Sequence, residues 1–296
     1  MSLPVPIPES SKEKHARYTE YKDTGIEWLG EIPAHWIALP LKHVTSIPIT
    51  DGPHETPEFI YSGIPFVSAE AVWGGRVHLE LMRGYISEKQ NQIYNRKYKP
   101  KKDDVYIVKS GATTGKIAIV DFDDEFNIWS PLAAVRVNPN KITPRFIYHL
   151  LNSDHFQRQI QLSWSYGTQP NIGMGVISNL AILLPPILEE QAIADYLDEE
   201  TGKIDQLIEK KKRLIELLEE QRTAIITHAV TKGLNPDVEM KYSGVEWLGE
   251  IPAHWDLKKL KHVTTCLDGK RVPLNSEQRG YIQGGYPYWG ANGILD

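Results

Sequence analysis

Short runs of apolar and β-branched residues recur along the first 186 positions of the chain, and clusters of Gly, Asn, Asp and Pro separate them. The clearest runs are Ile64–Val67, Val105–Val108, Ile117–Val120, Ala133–Val137 and Leu180–Leu184. Such runs between turn-forming residues predict short β-strands. The last run stops at a Pro-Pro pair, where a strand is expected to end. We therefore predict a β-rich domain over this part of the chain.

A helix is predicted inside this domain, beginning after Thr143. Thr143 is a favourable N-cap residue, and Pro144 suits the first helical turn. Apolar residues then follow at helical spacing and form one face, which consists of Phe146, Ile147, Leu150, Leu151, Phe156 and Ile160. Strands combined with such a helix give the domain an α+β character.

A second, much longer helix is predicted from about Leu188 to Lys232, a stretch without proline. A seven-residue grid of the kind found in coiled coils runs along it. The predicted seam consists of Ile204, Lys211, Leu218 and Ile225, with Leu207 and Leu214 in the companion positions. Gly233 and Pro236 end the helix. Because a helix with one apolar stripe is not stable alone in water, we expect the seam to pair with another helix.

An internal repeat organises the whole chain. Glu27–Trp36 returns letter for letter as Glu246–Trp255. Leu41–Thr45 likewise returns unchanged, at the same spacing, as Leu260–Thr264. Ten consecutive identities that include two tryptophans are not expected by chance. The repeating unit is 219 residues long, and the second copy, which starts near Lys241, occupies the last 56 positions.

These patterns divide the chain into four segments. We predict a disordered N-terminal tail at 1–20, a first domain at 21–186, a spacer helix at 187–233 and a partial second domain at 234–296. The fold class is α+β, with a β-rich domain, a long coiled-coil helix and the incomplete start of a second domain. The N-terminal segment lacks the apolar run of a signal peptide or membrane span, so a cytoplasmic location is expected.

Few residues suggest catalysis or metal binding. The single cysteine, Cys266, excludes an internal disulfide framework and a cysteine zinc cluster. The ten histidines show no metal-binding spacing such as His-Glu-x-x-His. No Ser-His-Asp set and no dinucleotide-binding glycine pattern is present. We therefore predict neither a catalytic residue nor a metal site.

The net charge of −5 is unevenly distributed. Residues 21–186 carry 16 basic and 16 acidic side chains, whereas 187–233 carry 7 basic and 11 acidic ones. Within the first domain the basic residues are bunched between Lys89 and Lys102, with tyrosines among them. Such a patch is suited to neutralising DNA phosphates, and the candidates are Lys99, Lys101 and Lys102. A solvated loop without a partner explains the same composition.

The stretch Ser110–Lys116 is the first of two candidate reading loops. It does not fit a nucleotide-binding P-loop, because only three residues separate Gly111 from Gly115 and Ile117 stands where that motif needs a hydroxyl. A tight turn between two strands is the better interpretation. The groups suited to contacting phosphates or base edges there are Lys109, Thr113, Thr114 and Lys116.

The second candidate loop lies between the Phe146 helix and the Leu180 strand. It is polar, aromatic and contains glycine, and amide side chains of Gln and Asn can bind adenine in the major groove. The candidates for DNA contact are Tyr166, Thr168, Gln169 and Asn171. A plain connecting loop is the alternative interpretation.

The motifs, taken in order, resemble a known family. They are the Glu27–Trp36 motif, Ser110–Lys116, Gly167–Ile172, Leu184-Pro185-Pro186 with Glu190-Gln191, and a long helix that ends Ala229–Gly233. This order, together with the internal repeat, resembles the DNA-specificity subunit of type I restriction-modification enzymes. The resemblance runs from about Lys22 to the end of the chain.

The resemblance implies two target-recognition domains held apart by a pair of antiparallel helices. Each domain would read one half of a split site in double-stranded DNA, and the helices would set the spacing and dock the methyltransferase subunits. The restriction and translocase subunits would join through the complex. This chain would be non-catalytic and bind no cofactor itself, since S-adenosylmethionine, ATP and Mg²⁺ would belong to the partner subunits.

The sequence departs from the family pattern at its C-terminal end. The second copy stops soon after Gly284–Gly293, and no second long helix follows. We expect a truncated product or a fragment, which either fails to read a two-part site or pairs with a second copy of itself through the helix. A coiled-coil scaffold that does not bind DNA is the alternative function, and the acidic helix favours it.

Overall fold

The computed structural model describes residues 18–26, 29–166, 170–267, 274–281, 287, 289–290 and 293–294. Most of the predicted N-terminal tail and of Gly284–Gly293 therefore lies outside the described residues. The chain divides into two compact units, 1–207 and 208–296. This division falls within the long helix, whereas the sequence suggested boundaries at its two ends.

A six-stranded sheet forms the centre of the first unit. The strands of this unit are β1 (Tyr21–Asp23), β2 (Glu31–Pro33), β3 (Ile37–Pro40), β4 (Thr50–Asp51), β5 (Ile64–Val67), β6 (Val72–Trp73), β7 (Arg76–Val77), β8 (Gly84–Ile86), β9 (Val105–Val108), β10 (Ile117–Ile119), β11 (Asn127–Ile128), β12 (Leu132–Val135), β13 (Ser165–Tyr166), β14 (Pro170–Asn171) and β15 (Ala181–Leu184). The strand order of the central sheet is β4-β12-β9-β10-β7-β6. All its pairings are antiparallel except that of β10 with β7.

The strand predictions agree with the structure, but the predicted Phe146 helix is two helices. The helices are α1 (Glu88–Asn95), α2 (Pro144–Asn152), α3 (Asp154–Leu162), α4 (Met174–Asn179) and α5 (Ile187–Lys232). Ser153 takes an extended conformation between α2 and α3, and its hydroxyl accepts a hydrogen bond from the Phe156 backbone N–H at 3.3 Å. Serine competes in this way with the helical backbone, so the apolar spacing alone did not predict the break.

The two faces of the central sheet bury separate cores. Alternate residues of β9 show this division, because Val105 and Ile107 pack with the helical side, whereas Tyr106 and Val108 pack with the other side. The helical core includes Phe146, Ile147, Leu151, Phe156 and Ile160. The period of two follows from strand geometry. Since both faces are covered, every residue of β9 is buried, which explains its continuously apolar sequence.

The first copy of the repeat brings the two ends of this domain together. Strand β3 pairs antiparallel with β15, and the Leu41 backbone N–H donates to the Leu180 carbonyl at 2.9 Å. Leu41 and Val44 are completely buried in the helical core. The pairing fixes the position of Pro185-Pro186, immediately before α5 begins.

Side chains on α5 attach its first turns to the same domain. The Glu189 carboxylate accepts hydrogen bonds from the Tyr18 hydroxyl and from Trp36 Nε1 at 3.2 Å, and it pairs with His35 Nε2 at 2.8 Å. About two and a half turns further on, Asp198 forms ion pairs with Arg145 and His149 of α2. The root of α5 is therefore held by both the repeat motif and α2.

The predicted long helix is confirmed, with 46 residues in α5. At 1.5 Å per residue, a helix of this length extends about 69 Å. The apolar side chains of the predicted seam are about half exposed, with Ile204 at 56% and Ile225 at 60%. The seam therefore stays available along α5 within the described residues, and its pairing remains a prediction.

The second unit repeats the local structure of the first copy. Strands β16 (Met240–Tyr242) and β17 (Glu250–Pro252) pair in the same register as β1 and β2. This unit also contains a short 3-10 helix (Leu260–His262), α6 (Ser276–Tyr281), β18 (Trp289–Gly290) and β19 (Gly293–Ile294). Gly233, at φ +82°, follows the last residue of α5, and Lys232 Nζ donates to the Glu250 carbonyl.

Glu190, at the root of α5, gives the first unit a pH dependence. Its side chain is fully buried, and this burial raises its pKa to about 7, although the Thr143 backbone N–H, which donates to Glu190 Oε2 at 2.9 Å, opposes the shift. The pKa is thus higher in the folded chain than in the unfolded chain. Stability from this group is complete at pH values below the ordinary carboxyl pKa and is lost as the pH rises through about 7.

The Glu190→Gln variant is expected to remove this loss, because an amide does not ionise. Between pH 5 and pH 8 the parent chain should lose about 1 kcal/mol or more of unfolding free energy through this group. Urea unfolding at the two pH values measures the difference. Glu189 is the matched control: burial would raise its pKa, but hydrogen bonds from Tyr18, His35 and Trp36 lower it. Glu189→Gln should therefore weaken the fold at pH 8, and identical pH profiles for the parent and Glu190→Gln would refute the prediction.

Candidate nucleic-acid interface

Several loops converge where β9 ends. The Lys109 backbone N–H donates to the Pro131 carbonyl at 2.8 Å, and the Ser130 N–H donates to the Pro53 carbonyl at 3.2 Å. We call this surface the loop edge. It comprises residues 51–54, 109–116 and 129–131 together with the described part of 165–171.

The two candidate reading loops lie side by side at the loop edge. The Ile172 N–H donates to the Lys109 carbonyl at 2.8 Å, and the Gly111 N–H donates to the Pro170 carbonyl at 3.2 Å. Ser110 and Asn171 form an isolated antiparallel bridge. Two segments that are separated by about fifty residues in the sequence thus form one continuous surface.

The 110–116 loop has a defined shape. Gly111 and Gly115 have φ values of +102° and +96°, a backbone region that residues other than glycine rarely adopt. The Thr114 hydroxyl donates to the Gly111 carbonyl at 2.7 Å and lies 3.2 Å from the Pro170 carbonyl. Thr114 therefore holds the two loops together, whereas Thr113 is partly exposed and Lys116 is exposed.

The candidates on the second loop are only partly described. Thr168 and Gln169 lie outside the described residues. Tyr166 belongs to β13 by its backbone, and Asn171 is an exposed residue of β14. Strand β13 pairs antiparallel with β14, and Asn171 of β14 bridges Ser110 of the first loop.

The basic candidates Lys99, Lys101 and Lys102 lie elsewhere. They belong to the segment before β9, and no contact described for them joins them to the 109–116 loop. Lys99 pairs with Glu125 at 3.6 Å and Lys102 with Asp123 at 3.4 Å. The structure therefore does not bring them together with Lys109 and Lys116, and their contact with DNA stays a prediction.

A buried carboxylate at the loop edge was not found by sequence reasoning. Asp51 is 6% exposed and forms ion pairs with Lys97 at 2.6 Å, with Lys109 at 3.2 Å and with His54 at 3.1 Å. Burial would raise the Asp51 pKa, but the hydrogen bonds and charges of the two lysines outweigh it and lower the pKa. The contacts join residues up to 58 positions apart, and no local spacing indicates them.

Other kinds of site are not indicated in the described part of the chain. No group of three or more His, Cys, Asp or Glu side chains there is arranged to hold a metal ion. None of the helices described is both long enough and apolar enough to cross a membrane.

The chain combines a β-rich domain, which carries polar loops at one edge of its sheet, with a long helix whose apolar seam is exposed. Comparisons with known proteins identify a class of protein that has these features. The family model described as the type I restriction modification DNA specificity domain matches residues 48–218, more than half of the chain. The chain therefore belongs to this family.

Individual relatives agree with the family match. The chain is 26% identical over 216 residues to the type I restriction enzyme MjaVIII specificity subunit of Methanocaldococcus jannaschii. This alignment covers 72% of this chain and 49% of the relative. It is 26% identical over 129 residues to the EcoBI specificity subunit of Escherichia coli, covering 40% of this chain and 27% of that protein. The chain thus spans about half, or less, of the length of these curated relatives.

A solved structure has the same kind of fold. It comes from work on complex assembly and conformational transition of the type I R-M system, and it superposes with a TM-score of 0.53 at 23% identity. The match covers 69% of this chain and 47% of the solved one. At this identity the likeness concerns the fold alone.

Proposed function

We propose that this chain is a non-catalytic, sequence-specific DNA-binding subunit of a type I restriction-modification complex, and that its first domain reads one half of a bipartite site. Family membership supports the general role. The observation that carries the placement of the reading surface is the set of backbone hydrogen bonds between Lys109–Gly111 and Pro170–Ile172. These bonds join two loops of polar composition into one surface.

The reading mechanism follows from the chemistry of the loop edge. Hydroxyl and amide groups of Thr113, Gln169 and Asn171 contact base edges, and Lys116 contacts a phosphate. Thr114 holds the 110–116 loop in place through its bonds to Gly111 and Pro170. A surface fixed in this way discriminates between base pairs without breaking a covalent bond.

The partners proposed for α5 are other helices. Its exposed apolar seam docks against the methyltransferase subunits and against a second long helix, which in a self-dimer comes from another copy of this chain. S-adenosylmethionine, ATP and Mg²⁺ bind the partner subunits in this proposal, and the restriction and translocase subunits join through the complex. Sedimentation of the full chain as a monomer at micromolar concentration would refute self-pairing.

A coiled-coil scaffold that does not contact DNA is the second candidate function. The net charge of −5 and the acidic character of α5 favour it. The two candidates differ in one measurable property, because only a DNA-reading subunit binds duplex DNA with an affinity that falls steeply as salt is raised.

Replacing one exposed lysine at the loop edge tests the proposed function. The Lys116→Gln variant is expected to weaken binding to a fluorescein-labelled 40-base-pair duplex and to reduce the slope of log K against log salt by about 1, the loss of one phosphate contact. Fluorescence anisotropy over a salt series measures this slope. Lys210→Gln, which removes the same charge from α5, should leave the slope unchanged. Equal slopes for the parent and Lys116→Gln would contradict the assignment of this loop.

A further inference from the structure

We propose that Asp51 is a positioning residue, which gathers Lys97, Lys109 and His54 into a binding site for one DNA phosphodiester at the loop edge. This inference rests on the proposed DNA-reading function and extends it to residues outside the two reading loops. Three groups that are cationic or can become so converge on a single buried carboxylate, within 3.2 Å of its oxygens.

The charge of this cluster favours an anion. One carboxylate balances one of the two lysine charges, so the cluster keeps a net positive charge even when His54 is neutral. Lys97 donates to Asp51 and to the Gly52 carbonyl, which leaves one of its three donors for a ligand. The Lys97 and His54 side chains are 49% and 72% exposed, so a phosphate can reach both.

Lys109 connects the cluster to the reading loops. Its side chain is only 12% exposed and binds Asp51, while its backbone bonds to Ile172 and Pro131 at 2.8 Å each. Asp51 itself is fixed in β4 opposite Ala133 of β12. The phosphate site is therefore held at a constant distance from the loops that read bases. Phosphate contacts of this kind set the register of a protein on the duplex, and base contacts then specify the sequence.

The lysine pairs at the other end of β9 have a different arrangement. Lys99 with Glu125 and Lys102 with Asp123 are single pairs, with no excess of positive charge, and their carboxylates are 48% and 82% exposed. An exposed carboxylate competes with a DNA phosphate for its lysine. At Asp51 the carboxylate is buried behind the lysines and supports them instead.

The Asp51→Asn variant of the full chain separates positioning from simple charge. The change adds one unit of positive charge, so electrostatics alone predicts tighter binding of a 40-base-pair duplex of mixed sequence. Loss of positioning predicts the opposite, and we expect binding about fivefold weaker, comparable to the net loss of one hydrogen bond. Asp123→Asn is the matched control, since it adds the same charge at the opposite end of β9 and should not weaken binding.

A second variant keeps the proposal testable if Asp51→Asn fails to fold. Lys97→Gln changes a half-exposed side chain and should lower the salt slope of binding by about 1. Folded Asp51→Asn that binds DNA as tightly as the parent or more tightly overturns the proposal, and so does an unchanged slope for Lys97→Gln. If the parent chain itself shows no salt-dependent DNA binding, the proposed function fails together with this inference.

Discussion

The Asp104→Asn variant is expected to lose about 3 kcal/mol or more of unfolding free energy, which is the usual effect of removing one partner from a buried ion pair. The Asp104 side chain is 1% exposed and forms two hydrogen bonds with Arg136, from Nε at 2.7 Å and from Nη2 at 2.6 Å. It also accepts from the Tyr98 hydroxyl at 2.5 Å and from the Lys101 backbone N–H at 2.8 Å. An asparagine cannot satisfy all four donors.

The neighbouring residue provides a matched control. Asp103 is exposed and has a φ of +69°, a conformation that asparagine tolerates. Asp103→Asn should therefore change stability by less than about 0.5 kcal/mol. Urea unfolding followed by circular dichroism measures both variants. A parent-like midpoint for Asp104→Asn would show that Arg136 and Tyr98 do not depend on this carboxylate.

Leu41→Ala is expected to destabilise the first unit by about 2 to 5 kcal/mol, the range for deleting a large side chain from a packed core. Leu41 is 0% exposed in the helical core, and its backbone is tied to Leu180. The cavity left by the missing atoms would lie beneath the β3–β15 pair, which leads into α5. Thermal unfolding should show a lower midpoint.

The repeat supplies the control for this variant. Leu260 occupies the corresponding position of the second copy and is 73% exposed. Leu260→Ala should therefore change stability by less than about 0.5 kcal/mol. Comparable destabilisation by the two substitutions would mean that Leu260 is buried in solution, in conflict with the structure described here.

The contrast between Leu41 and Leu260 also shows what the sequence could predict. The letter-for-letter repeat predicted identical local structure, and β1–β2 and β16–β17 do pair in the same register. Burial depends on what packs against the motif from distant parts of the chain. In the first copy that partner is β15, about 140 residues away, and local identity contains no information about it.

Secondary structure followed the same rule. The strand runs and the long helix were predictable because periodicity and proline are local signals. The break at Ser153 was missed, since Phe156 and Ile160 were counted in the same apolar face although the step from Leu151 to Phe156 is five residues and departs from the helical spacing of three or four. Ser153 followed by Asp154 is itself a helix-start signal, which the apolar face concealed.

At the candidate site, composition identified the two polar loops but not their geometry. Their adjacency depends on hydrogen bonds between Lys109 and Ile172 and between Gly111 and Pro170, which span about sixty positions. The run of lysines before β9 did not indicate that Lys97 would meet Lys109 at one carboxylate. Asp51 gave no sequence signal, because its partners meet only in the folded sheet.

Selection of bound sequences tests the central claim most directly. The full chain, together with type I methyltransferase subunits, would be incubated with a randomised 40-base-pair duplex library, and the bound fraction would be sequenced. The account predicts enrichment of a short fixed motif by the parent chain, and an altered or lost motif when Thr113 and Asn171 are replaced by alanine. A bound fraction as random as the input library would contradict the claim that this chain reads DNA sequence.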